Sequence, residues 1–201
     1  MRIYLLRHEE RDLSDPTFYS SLTDKGLDLS NKLKYTLDGL EIDIIFSSPF
    51  KRTLQTVKPF CDMTGTLVNI EYALYEKIVN HTKSKKIFDK DDFKMDLIER
   101  DEEYYLKNTD YVSFYNLEDI EFDDDGLKRS YQFLHHIISL YKETDYNILF
   151  VTHSAIMKNM INSDNFITPP MGGIVMIYDK QRILHKKINY VDKSVHFNEI
   201  I

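Results

Sequence analysis

The sequence has a single cysteine, Cys61, and its first apolar run covers only residues 3–6 before it meets Arg7. A lone cysteine excludes an internal disulfide and a metal cluster built from cysteines, and it is typical of a reducing compartment. The apolar run is too short for a secretory signal or a membrane span. We therefore expect a cytoplasmic protein without a membrane partner.

Excess positive charge is also missing, because 26 Lys and Arg stand against 33 Asp and Glu, which gives a net charge of −7 at pH 7. Nucleic-acid backbones are bound by basic surfaces, so this balance argues against a nucleic-acid partner. Metal-ligand spacing is missing as well. His135 and His136, for example, are adjacent on a predicted helix and point in different directions. We expect no metal and no cofactor.

The order of apolar patterns along the chain predicts the fold. With 201 residues, 42% of them hydrophobic, the chain can bury one substantial core, and we expect a single domain over residues 1–201. The patterns predict strands over residues 2–6, 42–46, 67–72 and 147–151, helices over residues 22–37, 50–63, 124–142 and 154–161, and a C-terminal hairpin over residues 172–178 and 182–190. Such alternation predicts an α/β fold, a three-layer αβα sandwich with a mainly parallel central sheet flanked by helices.

Two helices carry local signals. Thr23 is the expected N-cap of the first, because its hydroxyl can accept a backbone N–H of the first turn. Pro59 lies inside the second and is expected to kink or end it. The expected apolar face of the first helix consists of Leu27, Leu29, Leu33, Tyr35 and Leu37.

Residues 77–123, here called the insert, interrupt the alternation. The segment is rich in acidic and aromatic side chains and has weak periodicity. A stretch of this length inside a compact domain more often has helices of its own, or forms a lid, than remains a bare loop. We expect a helical insert or lid that determines substrate specificity.

Polar and charged side chains follow three of the predicted core strands. They are Arg7 and His8 after the first, Ser47, Ser48 and Arg52 after the second, and Thr152 and His153 after the fourth. In open α/β sheets, ligands bind outside the carboxyl ends of the strands. Two arginines and two histidines are therefore expected to converge on one anion site.

These residue types suit phosphoryl transfer. Arginine donates two parallel hydrogen bonds to phosphate oxygens and stays charged at any working pH. A neutral imidazole can attack phosphorus, which divides the reaction into two easier steps. A second histidine, once protonated, adds a charge and a donor, and bound phosphate favours that state. The remaining alternative for such residues is a set of solvated caps and salt-bridge partners at strand ends.

Four motifs in order resemble the histidine phosphatase superfamily, also called phosphoglycerate mutase-like. The family's first strand ends in Arg-His-Gly, and here Arg7-His8-Glu9 is similar. Its Leu-Thr-x-x-Gly helix start matches residues 22–26, its Ser-Ser-Pro-x-x-Arg-x-x-Gln-Thr motif matches residues 47–56, and its Val-Thr-His-Gly/Ser motif matches residues 151–154. The resemblance covers residues 3–154 and implies the same α/β fold.

The resemblance also implies roles for individual residues. His8 is the implied nucleophile, and Arg7, Arg52 and His153 form the implied phosphate pocket. The family's general acid follows the third strand in a Leu-x-Glu segment, which makes Glu76 the candidate here. An acid in this place protonates the leaving oxygen, and it needs a raised pKa to keep its proton.

The sequence departs from the family in two places. Glu9 stands where the family has glycine, so it removes backbone freedom and adds a carboxyl near the anion site. We expect its side chain to point away from that site. The family's Gly-Glu-Ser pattern before the late helix is matched only in part, by Glu121 and Phe122 with Arg129.

The function expected from the sequence is metal-independent hydrolysis of a phosphomonoester through a phosphohistidine at His8. The alternatives are a mutase-type phosphotransferase, which the acidic insert disfavours, and a phosphate-binding pseudo-enzyme, which Glu9 leaves open. The substrate is a phosphorylated metabolite, a phosphotyrosine or phosphohistidine on a protein, or an inositol phosphate. An oligomer is possible through an edge strand of the C-terminal hairpin.

Overall fold

The computed structural model describes residues 1–15, 20–77, 106–116, 126–161 and 166–179, together with the backbone of residues 186–189 and 196–199. Within these ranges one sheet contains the strands β1 (Arg2–Arg7), β2 (Ile44–Ser47), β3 (Val68–Ile70), β4 (Asn147–Thr152), β5 (Ile174–Asp179), β6 (Lys186–Asn189) and β7 (His196–Glu199). The helices are α1 (Asp24–Asp38), α2 (Lys51–Thr64), α3 (Leu127–Tyr141) and α4 (Ser154–Ile161), with a short 3-10 helix at Tyr72–Leu74.

The strand order is β3-β2-β4-β1-β5-β6-β7. The first four strands of this order are parallel, whereas β5, β6 and β7 pair antiparallel at the other side. The predicted α/β fold is therefore confirmed. The pairing of β5 with β6 confirms the predicted C-terminal hairpin, whose expected turn at residues 179–181 lies mostly outside the described residues. The strand β7 was not predicted.

Helices cover both faces of the sheet, as a three-layer sandwich requires. Side chains alternate along β1, so that Tyr4 and Leu6 pack in one core cluster and Ile3 and Leu5 in the other. The first cluster contains Leu33 and Leu37 of α1 and Leu54, Val57 and Phe60 of α2. The second contains Phe133, Leu134 and Ile137 of α3 and Ile156, Met157 and Met160 of α4. Strands buried on both sides explain why the sequence shows continuous apolar runs.

The cap of α1 is confirmed, and its buried face agrees with the expected one only at Leu33 and Leu37. The Thr23 hydroxyl accepts the N–H of Gly26 at 3.0 Å. The buried residues of α1 are Gly26, Ser30, Leu33 and Leu37. Leu27 and Tyr35 are exposed, because small residues let the helix approach its neighbours along the Gly26–Ser30 line.

The second helix runs from Lys51 to Thr64, which confirms the predicted helix over residues 50–63 and excludes an end at Pro59. Proline removes one helical hydrogen bond, and burial of Phe60 and Cys61 beyond it holds the helix in place. The helix ends instead at Gly65, a left-handed C-cap whose N–H donates to the Cys61 carbonyl.

Most of the insert lies outside the described residues, which include only residues 106–116 of its later part. Residues 106–116 lie along the edge of β3, where the Asn108 N–H donates to the Val68 carbonyl at 2.9 Å. The buried carboxylate of Glu71 accepts hydrogen bonds from the Tyr111 hydroxyl, the Ser113 hydroxyl and the Phe114 N–H. Whether the insert forms a lid stays a prediction.

Among the described residues, none of the helices has the length and apolar character that a membrane span needs.

Candidate active site

The carboxyl ends of β1, β2 and β4 meet at one edge because these strands are parallel neighbours. The register places Arg7 beside Thr152 and Ser47 beside Val151. The next residues, His8, Ser48 and His153, therefore come together above the sheet. The His8 and His153 ring centroids are 5.2 Å apart. The predicted convergence of strand ends is confirmed for these side chains.

His8 is held in one orientation by its own backbone neighbour. Its Nδ1 lies 2.7 Å from the carbonyl oxygen of Glu9, which can only accept, so Nδ1 carries the proton. The other ring nitrogen, Nε2, then has a free lone pair. Burial and the nearby Arg52 guanidinium lower the pKa of His8 to about 3. The ring is neutral at ordinary pH, as a nucleophilic imidazole must be.

His153 is fully buried beside this ring. Its Nε2 lies 2.9 Å from the Ser48 hydroxyl, and its Nδ1 lies 3.4 Å from Nη2 of Arg52. Because guanidinium only donates, Nδ1 accepts and Nε2 donates to Ser48. Burial and Arg52 hold the pKa of His153 well below its ordinary value. The structure therefore contains a neutral His153, and the charged form expected from the sequence requires a further negative charge beside it.

The two arginines carry buried donors without a partner among the described residues. These donors are Nε of Arg7 and both Nε and Nη1 of Arg52. Arg52 is only 4% exposed, and burial lowers its pKa to about 10, so it stays charged at neutral pH. Arg7 is anchored from the other side, where its Nη1 donates to the Pro169 carbonyl at 3.0 Å. Buried N–H groups of charged side chains are costly to leave unpaired. An anion is the ligand that matches them.

Glu76 completes the cluster from the segment after the 3-10 helix. Its Oε2 lies 3.6 Å from Nδ1 of His153, and its side chain is 29% exposed. Burial raises the pKa of Glu76, although Arg52 and Arg7 act in the opposite direction. A raised pKa is what a proton donor at this place requires. The structure thus brings together all five side chains predicted from the sequence.

Glu9 is buried directly after His8, at 1% exposure. Its N–H donates to the Thr56 hydroxyl at 2.9 Å, and its carboxyl lies against Gly172. Burial raises the pKa of Glu9 to about 7, and Glu10 and Lys25 are the charged groups that act on it. The carboxyl does not pair with the guanidinium of Arg7 or Arg52, in agreement with the expectation that it points away from the anion site.

Some contacts of this site were not predicted from the sequence. Ser48 was counted as a strand-end residue, but its hydrogen bond to His153 was not foreseen. The loop at residues 169–173, which holds the end of β1, carries no sequence signal for contact with it. Arg11 adds positive potential from beyond His8, since it lowers the pKa of both His8 and His153.

Comparisons with known proteins agree with this arrangement. The sequence model of the "Histidine phosphatase superfamily (branch 1)" matches residues 3–164. No curated protein sequence matches the chain significantly. Among solved structures, an ecdysone phosphate phosphatase from Bombix mori is similar with a TM-score of 0.64 at 14% identity, over 90% of this chain and 90% of that one.

Two further solved structures are similar over nearly their whole length. A mycobacterial glucosyl-3-phosphoglycerate phosphatase has a TM-score of 0.60 at 15% identity, over 100% of this chain and 97% of that one. A phosphoserine phosphatase from Entamoeba histolytica has a TM-score of 0.57 at 19% identity, over 99% of this chain and 97% of that one. At these identities the likeness shows the fold.

Proposed function

The chain belongs to the histidine phosphatase superfamily, branch 1, and on that basis we propose that it hydrolyses phosphomonoesters through a covalent phosphohistidine at His8. One observation carries this proposal. The donors of Arg7 and Arg52 that have no partner among the described residues lie beside a neutral imidazole whose Nε2 carries the free lone pair. A pocket that only bound phosphate would have no need of an oriented nucleophile.

The first step transfers the phosphoryl group to the enzyme. Arg7 and Arg52 hold the phosphate oxygens and stabilise the charge that spreads over them in the transition state. His8 Nε2 attacks phosphorus, so that a P–N bond forms while the bond to the leaving oxygen breaks. Glu76 gives its proton to that oxygen, which departs as an alcohol. The dianionic phosphate raises the pKa of His153, which then contributes a further donor.

The second step regenerates the enzyme. Glu76, now a carboxylate, accepts a proton from a water molecule that attacks phosphorus opposite His8. The P–N bond breaks, inorganic phosphate leaves, and both Glu76 and His8 return to their starting protonation states. The arginines supply the positive charge throughout, which supports a metal-independent reaction.

The named activities of the similar structures support a proposal for the substrate class. Ecdysone phosphate, glucosyl-3-phosphoglycerate and phosphoserine are all phosphate esters of alcohols. We take a small phosphorylated alcohol as the substrate of this chain. Such a leaving group is a poor one and needs protonation, which agrees with the raised pKa of Glu76.

The test combines hydrolysis with trapping of the intermediate. Wild type should hydrolyse para-nitrophenyl phosphate in the presence of a metal chelator, and His8→Ala should lose on the order of 10³-fold or more in rate. His135→Ala is the matched control, because His135 is an exposed histidine on α3. Protein quenched in base during turnover of labelled substrate should carry an acid-labile label that His8→Ala lacks.

Three outcomes would overturn the proposal. A wild type that binds phosphate but turns over no ester would be a phosphate-binding module. Transfer of the label to an added phosphoglycerate in preference to water would indicate a mutase. Activity that the chelator removes and a metal restores would contradict the metal-independent mechanism.

A further inference from the structure

We propose that Arg129 is a positioning residue for Glu76, because its guanidinium fixes the backbone that presents the Glu76 carboxyl to the leaving oxygen. This inference rests on the proposed function, in which Glu76 is the general acid. It assigns a role to a residue of α3 that lies outside the strand ends.

The guanidinium of Arg129 reaches two carbonyl groups of the segment before Glu76. Its Nη1 donates to the Ala73 carbonyl at 2.5 Å, and its Nη2 donates to the Tyr75 carbonyl at 2.8 Å. Its Cζ also lies 3.4 Å from the centroid of the Tyr75 ring. Arg129 is 2% exposed, so these contacts form away from water, where charge-assisted hydrogen bonds are strong.

The carbonyl between these two is held from the sheet. The Thr152 hydroxyl, at the end of β4, donates to the Leu74 carbonyl at 2.8 Å. Three successive carbonyls before Glu76 are therefore each bound by a buried side chain. These hydrogen bonds fix the position and direction of the backbone where it enters Glu76.

Among the described residues, the carboxyl of Glu76 has a single hydrogen bond, and the charges of Arg52 and Arg7 attract it without a salt bridge to either. Its Oε1 accepts the N–H of Lys77 at 3.1 Å, and its Oε2 approaches His153 only to 3.6 Å. A carboxyl that is partly exposed and loosely held can turn toward solvent, where its pKa would fall toward the ordinary value. Its position at the leaving oxygen thus depends on the backbone below it, which Arg129 holds.

The fold makes room for an arginine in this place. Gly126, the N-cap of α3, has a φ of 74° and carries no Cβ. A Cβ on Gly126 would come within 2.8 Å of Nη2 of Arg129 and 2.6 Å of the Ile156 side chain. Lysine could not replace Arg129 fully, because one ammonium cannot span two carbonyls and lie flat on a ring.

A purely structural role and a purely electrostatic role predict different results. A structural defect would lower activity on all substrates together with stability. The Arg129 charge reaches the site, since it lowers the pKa of His153, and its loss would weaken phosphate binding equally for every ester. Misplacement of the acid lowers the rate of hydrolysis only for those substrates whose leaving group needs a proton. The dependence of rate on the leaving group therefore separates misplacement of the acid from the other two roles, and the stability of the variant separates those two from each other.

The experiment measures kcat/KM across aryl phosphates from para-nitrophenyl to unsubstituted phenyl, since kcat/KM includes only the steps up to departure of the leaving group. Glu76→Gln serves as the reference for complete loss of the acid. Arg129→Lys retains the charge, and Thr152→Val removes only the hydroxyl that holds Leu74. Ile137→Ala, two turns further along α3, is the control for a buried defect of the same helix, and thermal unfolding of each variant gives its stability.

We expect Glu76→Gln to lose on the order of 100-fold on phenyl phosphate and much less on para-nitrophenyl phosphate. Arg129→Lys should show the same split at about 10-fold, Thr152→Val a smaller split, and Ile137→Ala none. A uniform loss in Arg129→Lys, or none, beside a clear split in Glu76→Gln would overturn the positioning role and leave the proposed function intact. The absence of a split in Glu76→Gln would overturn the general acid itself.

Discussion

The carboxyl of Glu9 lies directly against Gly172, so closely that a Cβ on Gly172 would collide with Oε1 of Glu9. Gly172 has a φ of 74°, and its N–H donates to the carbonyls of Arg7 and His8. The contact therefore joins the residue after His8 to the loop that holds the end of β1. A side chain stands where the family has glycine, and a glycine opposite provides the space for it.

Gly172→Ala should destabilise the protein by about 2 kcal/mol or more, because it combines a strained backbone with a collision in a closed space. Gly65→Ala is the matched control, since Gly65 has a φ of 75° but nothing within 4 Å of its Cβ. Urea unfolding measures both. Glu9→Gly should rescue much of the excess loss in Gly172→Ala, and strictly additive effects of the two substitutions would contradict the contact.

The stability of the protein should fall as pH rises through 7 because of Glu9. Burial raises the pKa of Glu9 to about 7 from an ordinary 4.5. Between these values the folded protein keeps a proton that the unfolded chain has lost, so the free energy of unfolding decreases by up to roughly 3 kcal/mol as pH rises. Glu9→Gln should remove this part of the slope. Parallel urea-unfolding profiles of the two proteins from pH 4.5 to 8 would show that the carboxyl is not buried in this way.

Activity should persist to low pH and decline at high pH. His8 stays neutral down to about pH 3, so its protonation should not reduce kcat/KM above about pH 4. Burial raises the pKa of Glu76, and kcat/KM should fall as pH rises through that pKa and the acid loses its proton. Glu76→Gln should lack this basic limb on phenyl phosphate, whereas any limb due to ionisation of the substrate would remain. An unchanged profile would exclude Glu76 as the group responsible.

Arg52→Lys should weaken binding of inorganic phosphate by about 10-fold, because one ammonium replaces the two donors of Arg52 that have no partner among the described residues. Arg2→Lys is the control, since Arg2 is an exposed arginine at the start of β1. The readout is the rise in Tm with phosphate, which follows from binding to the folded state. An equal rise in wild type and in Arg52→Lys would place the anion elsewhere.

Local patterns in the sequence were sufficient to predict most elements and the side chains that meet at the site. Burial on both faces makes each core strand a continuous apolar run, and parallel strands end at one edge, so Arg7, His8 and His153 had to converge. Thr23 was predictable as a cap because capping involves only neighbours in the chain. The exposure of Tyr35 was not predictable, and the sequence left open whether α2 bends or ends at Pro59, because packing against other elements decided both.

The contacts that orient the chemistry depend on residues far apart in the chain. Gly172 meets Glu9, and Arg129 meets the carbonyls before Glu76, only because the sheet brings α3 and the loop after α4 to the same edge. The protonation states are also set by tertiary burial, which lowers the pKa of His8 and raises that of Glu76. The sequence by itself therefore determined which groups meet at the site. Packing decided their charge and direction, because desolvation and hydrogen-bond geometry exist only in the folded chain.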